Sequence, residues 1–335
     1  MANFKTPTDE ELASLYMTDT TDLDQSVGSF LWVWGTNLLG QLGTNDKVNR
    51  SHPTQTIAGG TNWKSVTSGY DFTTAIKNDG TLWSWGHNFA GQLGTNDKVH
   101  RSSPVQVFGG GNTWKQTACG IYHAAAIKND GTLWVWGYNN LGQLGTNDKV
   151  HRSSPVQVFG GGTDWKLVAC GGYNTMGIKT DGTLWIWGHN AYGQLGTNDI
   201  IHRSSPVQTV LGGNNWKDIA CGQLHTAAIK NDGTLWLWGA NNTGQLGINS
   251  IENKLSPVQV FGGGVWKKLH DACYVAATGA IKNDGTLWTW GYDPYIGDGS
   301  FLAKSIPVQT SIAGSTWKSV TLGAGFVSAI PYSET

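Results

Sequence analysis

The sequence predicts an all-β protein, a closed propeller of four-stranded blades about 51 residues each, with six blades favoured over seven. Three observations predict it. The phrase Gly80-Thr81-Leu82-Trp83-Ser84-Trp85-Gly86 returns at Gly131–Gly137, Gly182–Gly188, Gly233–Gly239 and Gly285–Gly291, with a degenerate copy at Ser29–Gly35. The second tryptophans, Trp34, Trp85, Trp136, Trp187, Trp238 and Trp290, are spaced 51, 51, 51, 51 and 52 residues apart. A third tryptophan followed by lysine keeps the same beat at Trp63, Trp114, Trp165, Trp216, Trp266 and Trp317, which completes the 18 tryptophans of the chain. A repeat period near 50 with several strands per unit belongs to propellers.

Each unit justifies its strands in order. Trp63-Lys64 opens a strand that closes at Gly69, and a second ends at Ala75-Ile76-Lys77. Asn78-Asp79-Gly80 is a tight-turn signal, since Asp-Gly tolerates the positive φ of a hairpin. The alternating GTLWxWG phrase is the third strand. After it comes the loop GQLGTNDKVHRSSP, then the extended run Pro104-Val105-Gln106-Val107. The last unit stops at Thr335 after its Ala329-Ile330 strand, and the first begins with the strand Leu31–Gly35. The two half-units are expected to join into one blade, removing exposed sheet edges.

Residues 1–27 stand outside the repeat, and 28–335 form the propeller. Thr8 followed by Glu11 makes a capping box, so a short helix over Thr8–Met17 is expected, with the segment serving as a docking peg or a loose terminus. The start lacks a basic region followed by an apolar one, so no secretory signal is read and the expected location is a virion or the cytoplasm. No apolar run of about 18 residues is present, so no membrane insertion is expected. Lys+Arg 22 against Asp+Glu 23 gives no electrostatic reason for nucleic acid as a partner.

Cys119, Cys170, Cys221 and Cys273 occupy one repeat position and are read as small, reduced, buried side chains, too far apart for a disulfide. His123 and His225 share a position with Phe72, Asn174 and Phe326, which marks core or channel filling instead of a metal ligand or a base. The tryptophans are read as packing between blades. No nucleophile, zinc, phosphate-loop or paired-carboxylate constellation appears, so no enzyme, cofactor or metal is expected. Two surfaces stand out. His100, Arg101, His151, Arg152, His202 and Arg203 would form a belt on one face, suited to an anionic or glycan partner through multivalency, or else an inherited solvated loop. His270, Asp271, Tyr274, Tyr292 and Tyr295 lie where the repeat departs most from consensus and mark a candidate specialised sector.

The run Trp85-Gly86-His87-Asn88-Phe89-Ala90-Gly91-Gln92-Leu93-Gly94, with copies at Trp136–Gly145, Trp187–Gly196 and Trp238–Gly247, resembles the regulator-of-chromosome-condensation repeat family over about residues 30–330. The resemblance implies a propeller, typically of seven blades. The family's nucleotide-exchange wedge has no counterpart in these even-length units, and the GWRHT phrase of its plant ultraviolet sensors is missing. The near-identical units also resemble accessory proteins of bacteriophages. The function expected is therefore a non-catalytic structural or adhesive module, virion-associated. The alternatives are a cytoplasmic protein-binding regulator and a glycan-binding propeller.

Overall fold

The computed structural model describes residues 30–57, 62–269, 276–292, 297–300, 302–310, 317–323 and 326–331, with backbone only from 318 onward. Every regular element among them is a strand. The first pair is β1 (Trp32–Gly35) and β2 (Arg50–Gln55). The first complete sheet is β3 (Trp63–Ser68), β4 (Phe72–Lys77), β5 (Leu82–Gly86) and β6 (Arg101–Gln106). The second is β7 (Trp114–Cys119), β8 (His123–Lys128), β9 (Leu133–Gly137) and β10 (Arg152–Gln157). The third runs through β11 (Trp165–Cys170), β12 (Asn174–Lys179), β13 (Leu184–Gly188) and β14 (Arg203–Gln208). The fourth has β15 (Trp216–Cys221), β16 (His225–Lys230), β17 (Leu235–Gly239) and β18 (Lys254–Gln259). The fifth has β19 (Trp266–Leu269), β20 (Ala277–Lys282), β21 (Leu287–Gly291) and β22 (Lys304–Gln309). A final pair is β23 (Trp317–Gly323) and β24 (Phe326–Pro331). The expected helix over Thr8–Met17 lies outside the described residues.

Each sheet is an antiparallel meander in chain order. First strands of successive sheets lie against one another, β3 on β7, β7 on β11, β11 on β15 and β15 on β19. Antiparallel order then puts the turn between first and second strands, and the long loop between third and fourth, on one face. The Asp-Gly hairpins and the glycine-rich connections lie on the opposite face. The fourth strand begins at Arg101, Arg152 and Arg203, three residues earlier than its Pro-Val run suggests.

The core is built between sheets. Ile127, Leu133, Val135 and Leu144 of one unit pack with Trp165, Val168 and Trp187 of the next. Trp85, Trp136, Trp187, Trp238 and Trp290 are buried, and each indole N–H donates to the carbonyl of the preceding unit's Gln, as Trp136 does to Gln92 O at 2.9 Å and Trp187 to Gln143 O at 3.0 Å. That bond explains why Trp and GQLG recur together, since an indole buried this deeply needs an acceptor. Gly137, at φ 101°, ends the third strand where a Cβ would stand 2.5 Å from Tyr122 O. A side chain there would be strained in φ and would clash with backbone.

Candidate interaction face

The long loop is tied by one buried asparagine. Asn139 Oδ1 accepts the Leu144 N–H at 2.9 Å. Its Nδ2 faces Thr146 Oγ1, Asp148 O, Asp148 Oδ1 and Val150 O at 3.1–3.2 Å. Asp148 Oδ1 in turn accepts Val150 N–H and the Thr146 hydroxyl, and Oδ2 pairs with Arg152 Nη2 at 2.6 Å. His151 Nδ1 accepts the Asn139 N–H at 2.9 Å, so in the neutral ring the proton sits on Nε2. Burial pulls the Asp148 carboxyl up, but the Val150 N–H, the Thr146 hydroxyl and the Arg152 guanidinium hold it below its ordinary value.

The same knot is tied around Asn88 and Asn190, with His100 and His202 accepting at 2.9 and 3.0 Å and Arg101 and Arg203 paired to Asp97 and Asp199. In the flanking units asparagine replaces the histidine, Asn49 accepting from Asn37 N–H and Asn253 from Asn241 N–H, both at 2.8 Å. The structure thus places His100, Arg101, His151, Arg152, His202 and Arg203 together on one face. There they close their own loops, each guanidinium half-buried against its aspartate.

His123 and His225 are fully buried on their second strands, with Nε2 at 2.9 Å from Thr175 Oγ1 and from Thr278 Oγ1 of the next sheet. Burial drives them down to about 3 and about 4, so both are neutral. Gly120 makes the room for His123, since a Cβ there would meet its Cε1 at 2.2 Å. Cys119, Cys170 and Cys221 are reduced and buried, burial pushing the Cys119 thiol up to about 11, and Cys273 lies outside the described residues. Among the described residues, no cluster of three or more His, Cys, Asp or Glu is placed to hold a metal ion.

On the opposite face each second-strand lysine lies between two indoles. Lys128 Nζ sits 4.7 Å from the Trp114 ring and 4.4 Å from Trp134, and Lys77, Lys179, Lys230 and Lys282 repeat the arrangement. Trp83, Trp134, Trp185, Trp236 and Trp288, the first tryptophans of the five complete phrases, are thereby used as cation–π partners within their own sheets.

The loop face carries a feature the repeat does not demand. Rings from successive units touch in a continuous arc. Tyr70 meets Tyr122 at 6.2 Å, and Phe89 meets Tyr122 at 5.1 Å. Tyr122 then meets Tyr138 at 6.4 Å, Tyr138 meets Tyr173 at 6.1 Å, Tyr173 meets His189 at 6.4 Å, and His189 meets Tyr192 at 6.3 Å. Two backbone positions generate its middle, the turn residue before the second strand (Tyr122, Tyr173) and the residue after the WG phrase (Tyr138, His189), joined by bonds such as Tyr138 N to Tyr122 O at 2.8 Å, while Tyr70, Phe89 and Tyr192 extend it from neighbouring positions. The fourth sheet fills the same positions with Leu224 and Ala240, so packing does not require aromatics there. Tyr70 and Phe89 are exposed, and Tyr122, Tyr138 and Tyr173 are half-buried. The signal for this arc in the sequence is aromatic variation at two positions of otherwise near-identical units. Tyr292 follows the fifth WG phrase at the arc's repeat position and is exposed. His270, Asp271, Tyr274 and Tyr295 of the expected specialised sector lie outside the described residues.

Residues 23–330 match the RCC1-like domain family. The chain is 34% identical over 301 residues to the ultraviolet-B receptor UVR8 of Arabidopsis thaliana, an alignment covering 84% of this chain and 66% of the receptor, just under two thirds of its length. In structure it is similar to human WBSCR16, with TM-score 0.79 at 21% identity over 93% of this chain and 89% of that one. It is also similar to yeast RCC1 (Prp20) as bound to Kap60, with TM-score 0.63 at 18% identity over 100% and 96%. The two structural likenesses concern the fold.

Proposed function

Because the chain belongs to the RCC1-like domain family, we propose that it is a non-catalytic protein-binding module whose docking surface is the aromatic arc of the loop face. One observation carries this reading: aromatic side chains accumulate across three successive units at positions where leucine and alanine serve the fold equally well. Tyrosine offers large contact area with a polar tip at low entropic cost, the profile of interface anchors. The solved yeast relative is bound to Kap60, and a second structure of Prp20p is described by its binding to Gsp1p and histones, which supports protein partners for this architecture. Photoreception is not part of the proposal, since the GWRHT phrase is missing from the sequence.

Ring closure into six blades belongs to the same reading. Of the 24 strands among the described residues, 20 form five sheets of four, and the remaining two pairs supply four more. β23 also packs on β20 as β7 packs on β4. Class averages in negative stain should show six spokes, and seven would replace that count.

Photo-crosslinking tests the docking surface. A benzophenone amino acid at Tyr70 or Tyr192 should trap a protein in the native source, and the same probe at Asn129 of the opposite hairpin should not. Equal trapping at both faces would refute the assignment. Trapping of an oligosaccharide would move the reading to the glycan-binding alternative. The family members reported above give no support to a virion role for the face or for residues 1–27, and co-migration of the chain with particles on fractionation is what would reinstate it.

A further inference from the structure

Among the units, the first complete sheet departs from consensus at three positions that converge in space. Where it has Tyr70, later units have Ile121, Gly172 and Gln223. Where it has Asp71, they have Tyr122, Tyr173 and Leu224. Phe89 stands where Leu38, Asn140, Ala191 and Asn242 stand elsewhere. These changes gather at one end of the arc. His87 and Phe89 stack at 5.0 Å, Phe89 meets the edge of Tyr122 at 5.1 Å, and His87 and Tyr70 approach the same Tyr122 at 6.0 and 6.2 Å. Asp71 stands beside this group, half-buried, with its Oδ1 accepting the Gln41 Nε2–H at 3.1 Å.

A carboxyl in this setting is half-buried and poorly solvated. No lysine or arginine ion pair reaches Asp71 among the described residues. Its electrostatic neighbour is His87, which burial and the nearby His100 hold below its ordinary value, so the ring stays neutral. Burial in turn raises the Asp71 carboxyl. The exposed residues Tyr70 and Phe89 both meet Tyr122 in the same group of rings, beside a carboxyl that no lysine or arginine pairs among the described residues. A planar guanidinium stacks on aromatic faces and pairs with a carboxylate, meeting both requirements at once.

We infer that the surface patch formed by Tyr70, Asp71, His87, Phe89 and Tyr122 receives an arginine side chain of the protein partner. This inference rests on the protein-binding reading and specifies the chemistry at one end of its surface.

The test uses the full-length, isotope-labelled protein and acetyl-arginine amide as the probe. Acetyl-lysine amide and the neutral isostere acetyl-citrulline amide serve as comparisons. Backbone amide shifts of residues 70–72, 87–89 and 122 should move with arginine, less with lysine, and not with citrulline. Asp71→Asn keeps an acceptor for Gln41 and should weaken arginine binding roughly fivefold or more, and Phe89→Ala roughly threefold. Unchanged amide shifts around Leu144 and Leu195 certify that each variant is folded. Citrulline binding as tightly as arginine, lysine binding more tightly, or folded variants binding as the parent does would overturn the inference. Failure here with trapping at Tyr192 intact would leave the protein-binding reading standing. Loss of trapping at both Tyr70 and Tyr192 would remove that reading itself.

Discussion

Replacing Asn139 by alanine removes the tie on which the long loop is built, and its effect follows from the bonds it makes. Asn139 and Leu144 are both fully buried, and Asn139 Oδ1 is the acceptor for the Leu144 N–H at 2.9 Å. Without it that amide is a buried donor facing a methyl group, a loss of about 1–3 kcal/mol. The Nδ2 contacts to Asp148 and Val150 carbonyls lie nearer the surface, where water can replace them, and add about 0.5–1.5 kcal/mol. A total near 3 kcal/mol corresponds to roughly a hundredfold faster local opening. Amide hydrogen exchange reads it directly. The Leu144 amide of Asn139→Ala should exchange about a hundredfold faster than in the parent. Leu93 and Leu195, held by Asn88 and Asn190 in the same way, should change little and act as internal controls. Leu144 exchange within a few-fold of the parent would refute the reasoning, because the bond would then be redundant.

Acidification should destabilise the protein through the inner histidines. Their folded values, about 3 for His123 and about 4 for His225, lie below the unfolded 6.5, so the unfolded chain binds more protons and stability falls as pH drops below about 6.5. Between pH 7 and 5 each should contribute a loss of about 2 kcal/mol in urea titrations, and the double variant His123→Asn/His225→Asn should flatten that dependence. Gly120→Ala should cost at least about 1–3 kcal/mol, because its Cβ would meet His123 Cε1 at 2.2 Å and Gly171 O at 2.6 Å; a melting temperature equal to the parent's would contradict this. The triple variant Arg101→Ala/Arg152→Ala/Arg203→Ala should lose at most about 1 kcal/mol per half-exposed pair and still be trapped at Tyr192. Abolished trapping in a folded triple variant would make the arginines recognition residues.

Much of the fold can be read from the chain because each unit repeats its own punctuation. Trp63-Lys64, Asn78-Asp79-Gly80 and Leu82–Gly86 mark three strands and a hairpin in the places where β3, β4 and β5 occur. The fourth strand is harder, because Arg101-Ser102-Ser103 precedes the Pro-Val run and its pairing to Gly86 passes through a register shift. The His-Arg belt shows where pattern misleads. Asp97 and Arg101 are four residues apart outside any helix, so nothing in their spacing announces the ion pair that the turn at Asn96, φ 63°, creates. The arc is hidden for a different reason. Tyr122 and Tyr138 are neighbours through a bond between a turn and a loop start, and Tyr138 reaches Tyr173 across a sheet boundary. Both adjacencies recur from unit to unit, as His87 N to Asp71 O and the His87–Tyr122 ring pair show, but they join positions too far apart in the chain for a strand period to reveal, whereas the variation of residue type at these positions is visible in the sequence.

The central claim is that the loop face, through its aromatic arc, is where a protein partner docks. Amide exchange of the complex with the trapped partner tests it most directly. Protection confined to segments 70–72, 87–89, 121–123, 138–141, 172–174 and 189–192 is the expected result. Protection of the opposite hairpins at 78–81, 129–132 and 180–183, with the arc exchanging as in the free protein, would contradict the account.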